Sequence, residues 1–489
     1  MMSSIKEKTL NGLGWSFADN ILSSGITFIV GLILARILSP AEFGILGMIA
    51  VFIAVSNSII DSGFSTALIR KNDATNTDYN TVFYFNLLIG FTLFGVLYLC
   101  APAISRFFKE PALVSITRVT GLALIFNSFS IIQRTLLTKL VDFKTQTKIT
   151  VIASLISGVV GIGMALRGLG VWSLVGQQLT RQLLATSLLW KFGTWRPRLE
   201  FSDESFKELF GFGSRMLISG LLGTIYTNVY YLVIGKFYKA EQLGQYTRAE
   251  HFSTLFSSNL TGIIQRVSFP VLSTIQDNSD ILKQAYRRMI RTTTFVSFTC
   301  MLGLAAVAKP LVVVLIGTKW MTAGSYLQII CLAGMLYPLH AMNLNILKVK
   351  GRSDIFLNLE IIKKIIAIFP IFLGIFIGIE VMLWGSVVVS FLSYFLNAHY
   401  SGRLINYAMK DQIKDITPSF LVSFFMAAIV YLEGFVFTMP LMLQLISQVF
   451  TGILIIVTIC EIGRFEDYLY IKKMVLKVTE KEINDTKTK

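Results

Sequence analysis

The sequence predicts an all-α, polytopic membrane protein of about fourteen transmembrane helices, and three observations carry that reading. Hydrophobic residues make up 54% of the 489 and charged residues only 15%, and the mean hydropathy is +0.66. Apolar runs of roughly 20 residues recur along almost the whole chain, the length that crosses about 30 Å of hydrocarbon at 1.5 Å per residue. The connections between them are mostly short and polar.

Taken in order, the spans are expected at about 13–38, 42–69, 79–104, 112–138, 146–167, 170–191, 206–235, 242–270, 289–317, 321–348, 355–377, 380–403, 415–434 and 440–462. The first run, Trp15 to Leu38, exceeds the apolar region of a secretory signal and no small-residue cleavage site follows it, so it reads as a retained helix. The longest connections are "KFGTWRPRLEFSDESFKE" (Lys191–Glu208) and "DNSDILKQAYRRMIR" (Asp277–Arg291). In the second, Ile281, Leu282, Ala285 and Met289 share a face flanked by Lys283, Arg287 and Arg291, the pattern of an interfacial helix.

A net charge of +16 would point to nucleic acid in a soluble protein. Here its distribution gives another account. Counted from a cytoplasmic N-terminus, about 28 of the 44 Lys and Arg fall in even-numbered loops and the two termini, and about 8 in odd-numbered loops. That asymmetry sets orientation, with both termini cytoplasmic, and implies no nucleic-acid partner. Cys100, Cys300, Cys331 and Cys460 lie in or beside apolar runs without a paired motif, which argues against a disulfide framework or a metal site.

The sequence also carries a faint repeat. "SPAEFGILG" from Ser39 and "YKAEQLGQY" from Tyr238 each end one span and open the next, with Ala41-Glu42 matched to Ala240-Glu241 ahead of Gly44 and Gly244. Six helices separate the copies, which predicts two similarly oriented six-helix lobes, 1–200 and 201–405, related by an axis along the membrane normal. Residues 406–462 then supply two additional helices, and 463–489 a basic cytoplasmic tail lying near anionic headgroups.

Charges kept inside apolar spans mark the candidate site, because each costs roughly 2.5–3.5 kcal/mol at the bilayer centre on insertion scales. In the eighth span His251, Thr254, Ser258, Thr261 and Gln265 follow at alternating spacings of three and four, so they share one face, with Arg248 beside them. Such a stripe is either glue between helices or the wall of a hydrated cavity. Asp19, Arg118, Arg181, Arg215 and Lys363 add polar positions in other spans, and Glu360 with Lys364 has the spacing of a local ion pair. Arg134, Arg181 and Arg266 lie near span ends, where a long side chain reaches the interface. Cations outnumber anions at depth. An arginine-lined cavity suits an anion, above all phosphate, which the guanidinium grips bidentately. Tyr226, Tyr230 and Tyr231 are aromatic enough to stack on sugar rings, although packing is the commoner use of such residues. No phosphate-binding loop, paired carboxylates, metalloprotease motif or cysteine cluster is present, so an enzyme is not expected.

The stretches "LARILSPAEFGILGMIAVF", "DSGFSTALIRK", "GLGVWSLVGQQL", "WRPRLEF", "IGKFYKAEQLGQYTRAEHF" and "FPVLSTIQDN" cover the first two-thirds of the chain. In that order they resemble polysaccharide exporters of the multidrug/oligosaccharidyl-lipid/polysaccharide flippase superfamily, in the colanic acid exporter branch. The resemblance implies a MATE-like fold of two six-helix lobes plus two C-terminal helices. It further implies that undecaprenyl-pyrophosphate-linked oligosaccharide is flipped across the bacterial inner membrane by alternating access through a cationic cavity. Arg118, Arg215 and Arg248 agree with such a cavity. Where relatives often carry an Asp in the seventh span this chain has Tyr230, so no charge role carries over there. The implied partners are the lipid-linked oligosaccharide, the bilayer, and polysaccharide polymerase and chain-length machinery; whether H+ or Na+ couples transport is left open. Two rivals remain, a cation-coupled small-molecule exporter on the same fold and a membrane-embedded polymerase or ligase.

Overall fold

The computed structural model describes Trp15 and residues 22–61, 63–437 and 439–473; Asp19 and the chain beyond 473 lie outside the described residues. Among the described residues every regular element is helical. The chain runs through α1 (Leu22–Ile37), α2 (Pro40–Asp61), α3 (Phe64–Arg70), α4 (Asn76–Phe108), α5 (Leu113–Thr120), α6 (Leu122–Lys139), α7 (Phe143–Leu166), α8 (Val171–Phe192) and α9 (Asp203–Phe237). It continues through α10 (Ala240–Thr274), α11 (Ser279–Ala306), α12 (Ala308–Ile316), α13 (Met321–Gly334), α14 (Tyr337–Val349), α15 (Ser353–Phe376), α16 (Ile379–Leu404), α17 (Met409–Val436) and α18 (Leu441–Ile462).

Over the described residues the expected spans fall on helix, and four of them are broken. The second divides at Gly63, whose φ of +70° favours glycine and whose added Cβ would stand 2.5 Å from the Gly213 carbonyl oxygen of α9. The fourth divides at Gly121, the ninth at Val307 and the tenth around Leu336. Apolar residues resume on the far side of each break, so a reading by overall apolarity passes over them even though Asp61, Arg118 and Lys309 lie close by. Among the described residues ten helical stretches are long and apolar enough to cross a membrane. The others are α1, described over a short length, and α8, α10 and α15, which carry Arg181, the Arg248 stripe and Lys363. Each of those three carries a polar candidate, while Arg118 and Arg215 lie on spans that meet the measure.

By internal contacts the chain forms two compact units, Met1–Thr247 and Arg248–Lys489, with the boundary inside α10. In the first, α7 and α8 form a tight hairpin, α4 packs on α6, and α9 packs on α2, α3 and α4. In the second, α11 packs on α17, α13 to α15 pack on α16, and α18 lies on α17 and α12.

Helix starts are capped by side chains, as bilayer-edge termini require. Thr75 and Asp78 form a reciprocal capping box on α4, and Asp142, Ser202 and Asn278 cap α7, α9 and α11. Asp277–Arg291 is not a separate interfacial helix. From Ser279 onward it forms the first turns of α11, with Leu282, Tyr286 and Ile290 fully buried and Ile281 left exposed. The described start of the tail docks on those turns: Arg291 pairs with Glu466 (3.1 Å) and Asp467 (3.2 Å), and Arg288 lies 3.9 Å over the Tyr470 ring. Burial raises the Asp467 carboxyl above its ordinary value, against the opposing pull of Arg291.

The "WRPRLEF" stretch is a structural plug. Trp195 is buried in an aromatic cluster 5.5 Å from Phe83, its carbonyl accepts from Gln133 Nε2 (3.0 Å), and Arg196 donates to the carbonyls of Trp190 and Gly193 at the end of α8. Beside it, Lys71 bridges Asp78 (3.2 Å) and Glu208 (2.8 Å). Glu208, assisted by Asp78 against the cost of partial burial, raises the Lys71 ammonium above its usual value. Trp195→Ala is expected to destabilise the folded protein by about 3 kcal/mol, whereas Leu199→Ala, at a side chain 93% exposed, leaves it unchanged. Equilibrium unfolding of purified protein in detergent measures both.

Candidate functional site

The two copies of the repeat touch one another. A Cβ added to Gly44 would stand 1.7 Å from the Ala240 carbonyl oxygen, and one added to Gly244 would stand 1.8 Å from that of Pro40. The first turns of α2 and α10 therefore cross backbone to backbone, reciprocally, at a glycine on each. Each start is closed the same way: Glu42 Oε2 accepts from the Ser39 amide (2.6 Å), and Gln242 Oε1 from the Lys239 amide (3.3 Å). This corrects the register of the repeat. Glu42 corresponds to Gln242, at an offset of 200, rather than to Glu241. Tyr230 and Tyr231 pack on Tyr246 with ring centroids 6.0 and 5.7 Å apart, holding α9 to the start of α10.

Below the crossing α10 has two polar faces. One is buried: Ser253, Ser257 and Ser268 are almost fully covered, and Ser268 Oγ accepts from Asn345 Nδ2 (2.9 Å) on α14. This is interhelical glue. The stripe read from the sequence lies around the other side, with Thr254 and Thr261 half-buried and Ser258 and Gln265 exposed. Arg248 and His251 extend this open face towards the crossing, and Asn259 and Arg266 lie along its edge. Thr254 and Thr261 donate to the helix's own carbonyls, which lets hydroxyls sit on an apolar-flanked helix without a partner helix.

The remaining candidates are dispersed. Arg118 stacks on Tyr98 of α4, 4.4 Å from the ring centroid, and donates to its carbonyl (3.4 Å). Arg215 is exposed on α9. Lys363 pairs with Glu360 one turn away, an i,i+3 ion pair on α15. Arg181 Nη1 donates to Thr27 Oγ1 of α1 (3.4 Å), so it serves a neighbouring helix instead of the interface.

A second feature gave no signal in the sequence. In the first unit a cleft of ≈ 680 Å³ opens between α2 and α9, lined by Asn57, Ser58, Asp61, Gly223, Thr227 and Asn228 among others. None of its lining residues is basic. Asn127 Nδ2 of α6 donates to Asn57 Oδ1 (2.9 Å), Gln182 Nε2 of α8 donates to Asn127 Oδ1 (3.3 Å), and Ser65 Oγ donates to Asp61. The cleft unites residues more than 150 positions apart.

Residues 33–325 match the family of polysaccharide biosynthesis proteins. The chain belongs to that family. It is 25% identical to the teichuronic acid biosynthesis protein TuaB of Bacillus subtilis, over 88% of this chain and 90% of that one. It is also 25% identical to the lipopolysaccharide biosynthesis protein WzxC of Escherichia coli, over 76% of each. Its fold is that of the lipid II flippase MurJ in an inward closed conformation, with a TM-score of 0.76 at 15% identity, covering 94% of this chain and 100% of that one. This family member is thus an all-α, multi-pass membrane protein with a flippase fold.

The crossing predicts a covalent link. A Cβ at Gly47 would lie 3.2 Å from Thr247 Cγ2, within disulfide range after small adjustment. In protein otherwise free of cysteine, Gly47→Cys with Thr247→Cys should cross-link on mild oxidation, read as a mass loss of two hydrogens; absence of the link contradicts the crossing.

Proposed function

We propose that the protein flips lipid-linked oligosaccharide units across a bacterial inner membrane for surface polysaccharide assembly, by alternating access. The observation that carries this reading is the open polar face of α10, Arg248 to Gln265, on a long helix of a membrane protein in the polysaccharide biosynthesis family. A face of that kind is tolerated at membrane depth only where water or a polar ligand meets it. Arg248 grips the pyrophosphate, His251 adds a polar ring one turn further along, and Thr254, Ser258, Thr261 and Gln265 line the path. Asp19, Arg118, Arg215 and Lys363 complete the proposed set of polar positions, and the polyprenyl tail stays in lipid. Both termini are cytoplasmic, the six-helix lobes 1–200 and 201–405 rock about the site, and a polymerase with its chain-length machinery receives the product. On this topology the crossing of α2 and α10 seals the periplasmic side.

Purified protein in vesicles tests the reading: a labelled lipid-linked oligosaccharide should change leaflet without changing mass. A change of mass favours a polymerase or ligase, and no movement ends the proposal. Arg248→Ala should reduce the rate per folded molecule at least about tenfold, the size of one lost charge-assisted hydrogen bond, while Arg248→Lys retains part of it. A normal rate in Arg248→Ala, with lowered thermal stability, would make this residue structural.

A further inference from the structure

The cleft between α2 and α9 calls for a ligand of its own. Asn57 lies about 25 Å along α2 from Pro40 at 1.5 Å per residue, so the α2 side of the cleft sits towards the far end of that span. Its chemistry is the reverse of an anion site: a carboxylate, two amides and hydroxyls, with no basic residue in the lining. Pyrophosphate would find no cation there to offset repulsion from Asp61. Nor is the cleft closed by packing. A Cβ added to Gly223 would meet nothing within 4 Å, and one at Gly220 only Ser58 Oγ at 3.5 Å. These glycines keep a floor low without being needed for helix contact.

The hydrogen bonds orient what remains. Asn57 Oδ1 is occupied by Asn127, which leaves its amide as a donor towards the cleft, and Ser58 adds a hydroxyl. Asn228 Nδ2 donates to the Thr224 carbonyl and Thr227 Oγ1 to that of Gly223, which leaves acceptors beside the Asp61 carboxylate. Paired donors and acceptors around a low, glycine floor match a ligand whose groups each donate and accept, as sugar hydroxyls do. The volume of ≈ 680 Å³ lies in the range of ordinary ligand pockets, about 300–1,000 Å³.

We propose that this cleft binds the glycan of the lipid-linked substrate, with Asp61, Asn57 and Asn228 hydrogen-bonding neutral sugar hydroxyls, apart from the residues that hold the pyrophosphate. The inference rests on the flippase reading. It divides recognition between two places: a cationic face that reads the carrier and an uncharged-to-acidic cleft that reads the sugar.

Two lipid probes separate these roles, undecaprenyl pyrophosphate alone and the same lipid bearing a neutral trisaccharide, each titrated against purified protein in detergent. Gly223→Leu extends a side chain into the cleft from a position where an added Cβ meets nothing within 4 Å, and should fold with equal or higher thermal stability. It should weaken binding of the glycosylated lipid at least about tenfold, the size of one or two lost hydrogen bonds, and leave the bare lipid within about twofold. Asp61→Asn should do the same to a smaller degree, since the amide keeps an acceptor oxygen. Equal weakening for both lipids overturns the proposal. Glycolipid affinity unchanged in Asp61→Asn, with altered dependence of transport on Na+ or pH, assigns the cleft to a cation and overturns it too. If the unsubstituted protein binds neither lipid, the flippase reading fails first and takes this inference with it.

Discussion

The rest of the structure depends on one close approach, the contact of Gly44 with the Ala240 carbonyl and of Gly244 with that of Pro40. Two helix starts meet there at a distance no side chain permits, and each is closed by a side chain three residues on that accepts from the backbone. Because α10 leaves the crossing in a fixed direction, its two polar faces are fixed as well. The Ser253–Ser257–Ser268 face enters the second unit, and the Arg248–Gln265 face is left open. A bilayer makes that assignment costly to change, since each misplaced polar group would stand in hydrocarbon without a partner.

The same constraint bears on the helices whose apolarity alone falls short. Ten helical stretches are apolar enough to cross by themselves, whereas α8, α10 and α15 are stabilised by what their polar side chains meet. In α8, Arg181 reaches Thr27 and Gln182 reaches Asn127; in α15, Glu360 takes Lys363. These contacts satisfy polar groups locally and link helices distant in sequence. On the proposed function, the Arg248–Gln265 face of α10 meets the carrier phosphates and the α2–α9 cleft meets the sugar.

Much of this was legible in the sequence, for identifiable reasons. Span positions follow from apolarity, because crossing hydrocarbon is a one-dimensional demand that local composition answers. The α10 stripe followed from helical periodicity, and the repeat from a short match around two glycines. What stayed hidden depends on three-dimensional neighbours. The breaks at Gly63 and Gly121 fall inside spans that are apolar on average, so Asp61 and Arg118 beside them read as isolated polar residues rather than as ends. The Glu42–Gln242 correspondence needed the reciprocal contact to fix its register. Asn57 and Asp61 looked like ordinary polar residues near the end of a span until α9 brought Asn228 beside them. Trp195, read within a family-like stretch, proved to be a plug for α4 and α8.

The central claim is that the α2–α10 crossing opens during each transport cycle. Its most direct test is transport by protein carrying Gly47→Cys and Thr247→Cys in vesicles, compared before and after quantitative disulfide formation. The account predicts that the reduced protein moves labelled lipid-linked oligosaccharide, that the cross-linked protein moves none, and that reductant restores the original rate. Undiminished transport by fully cross-linked protein would contradict it.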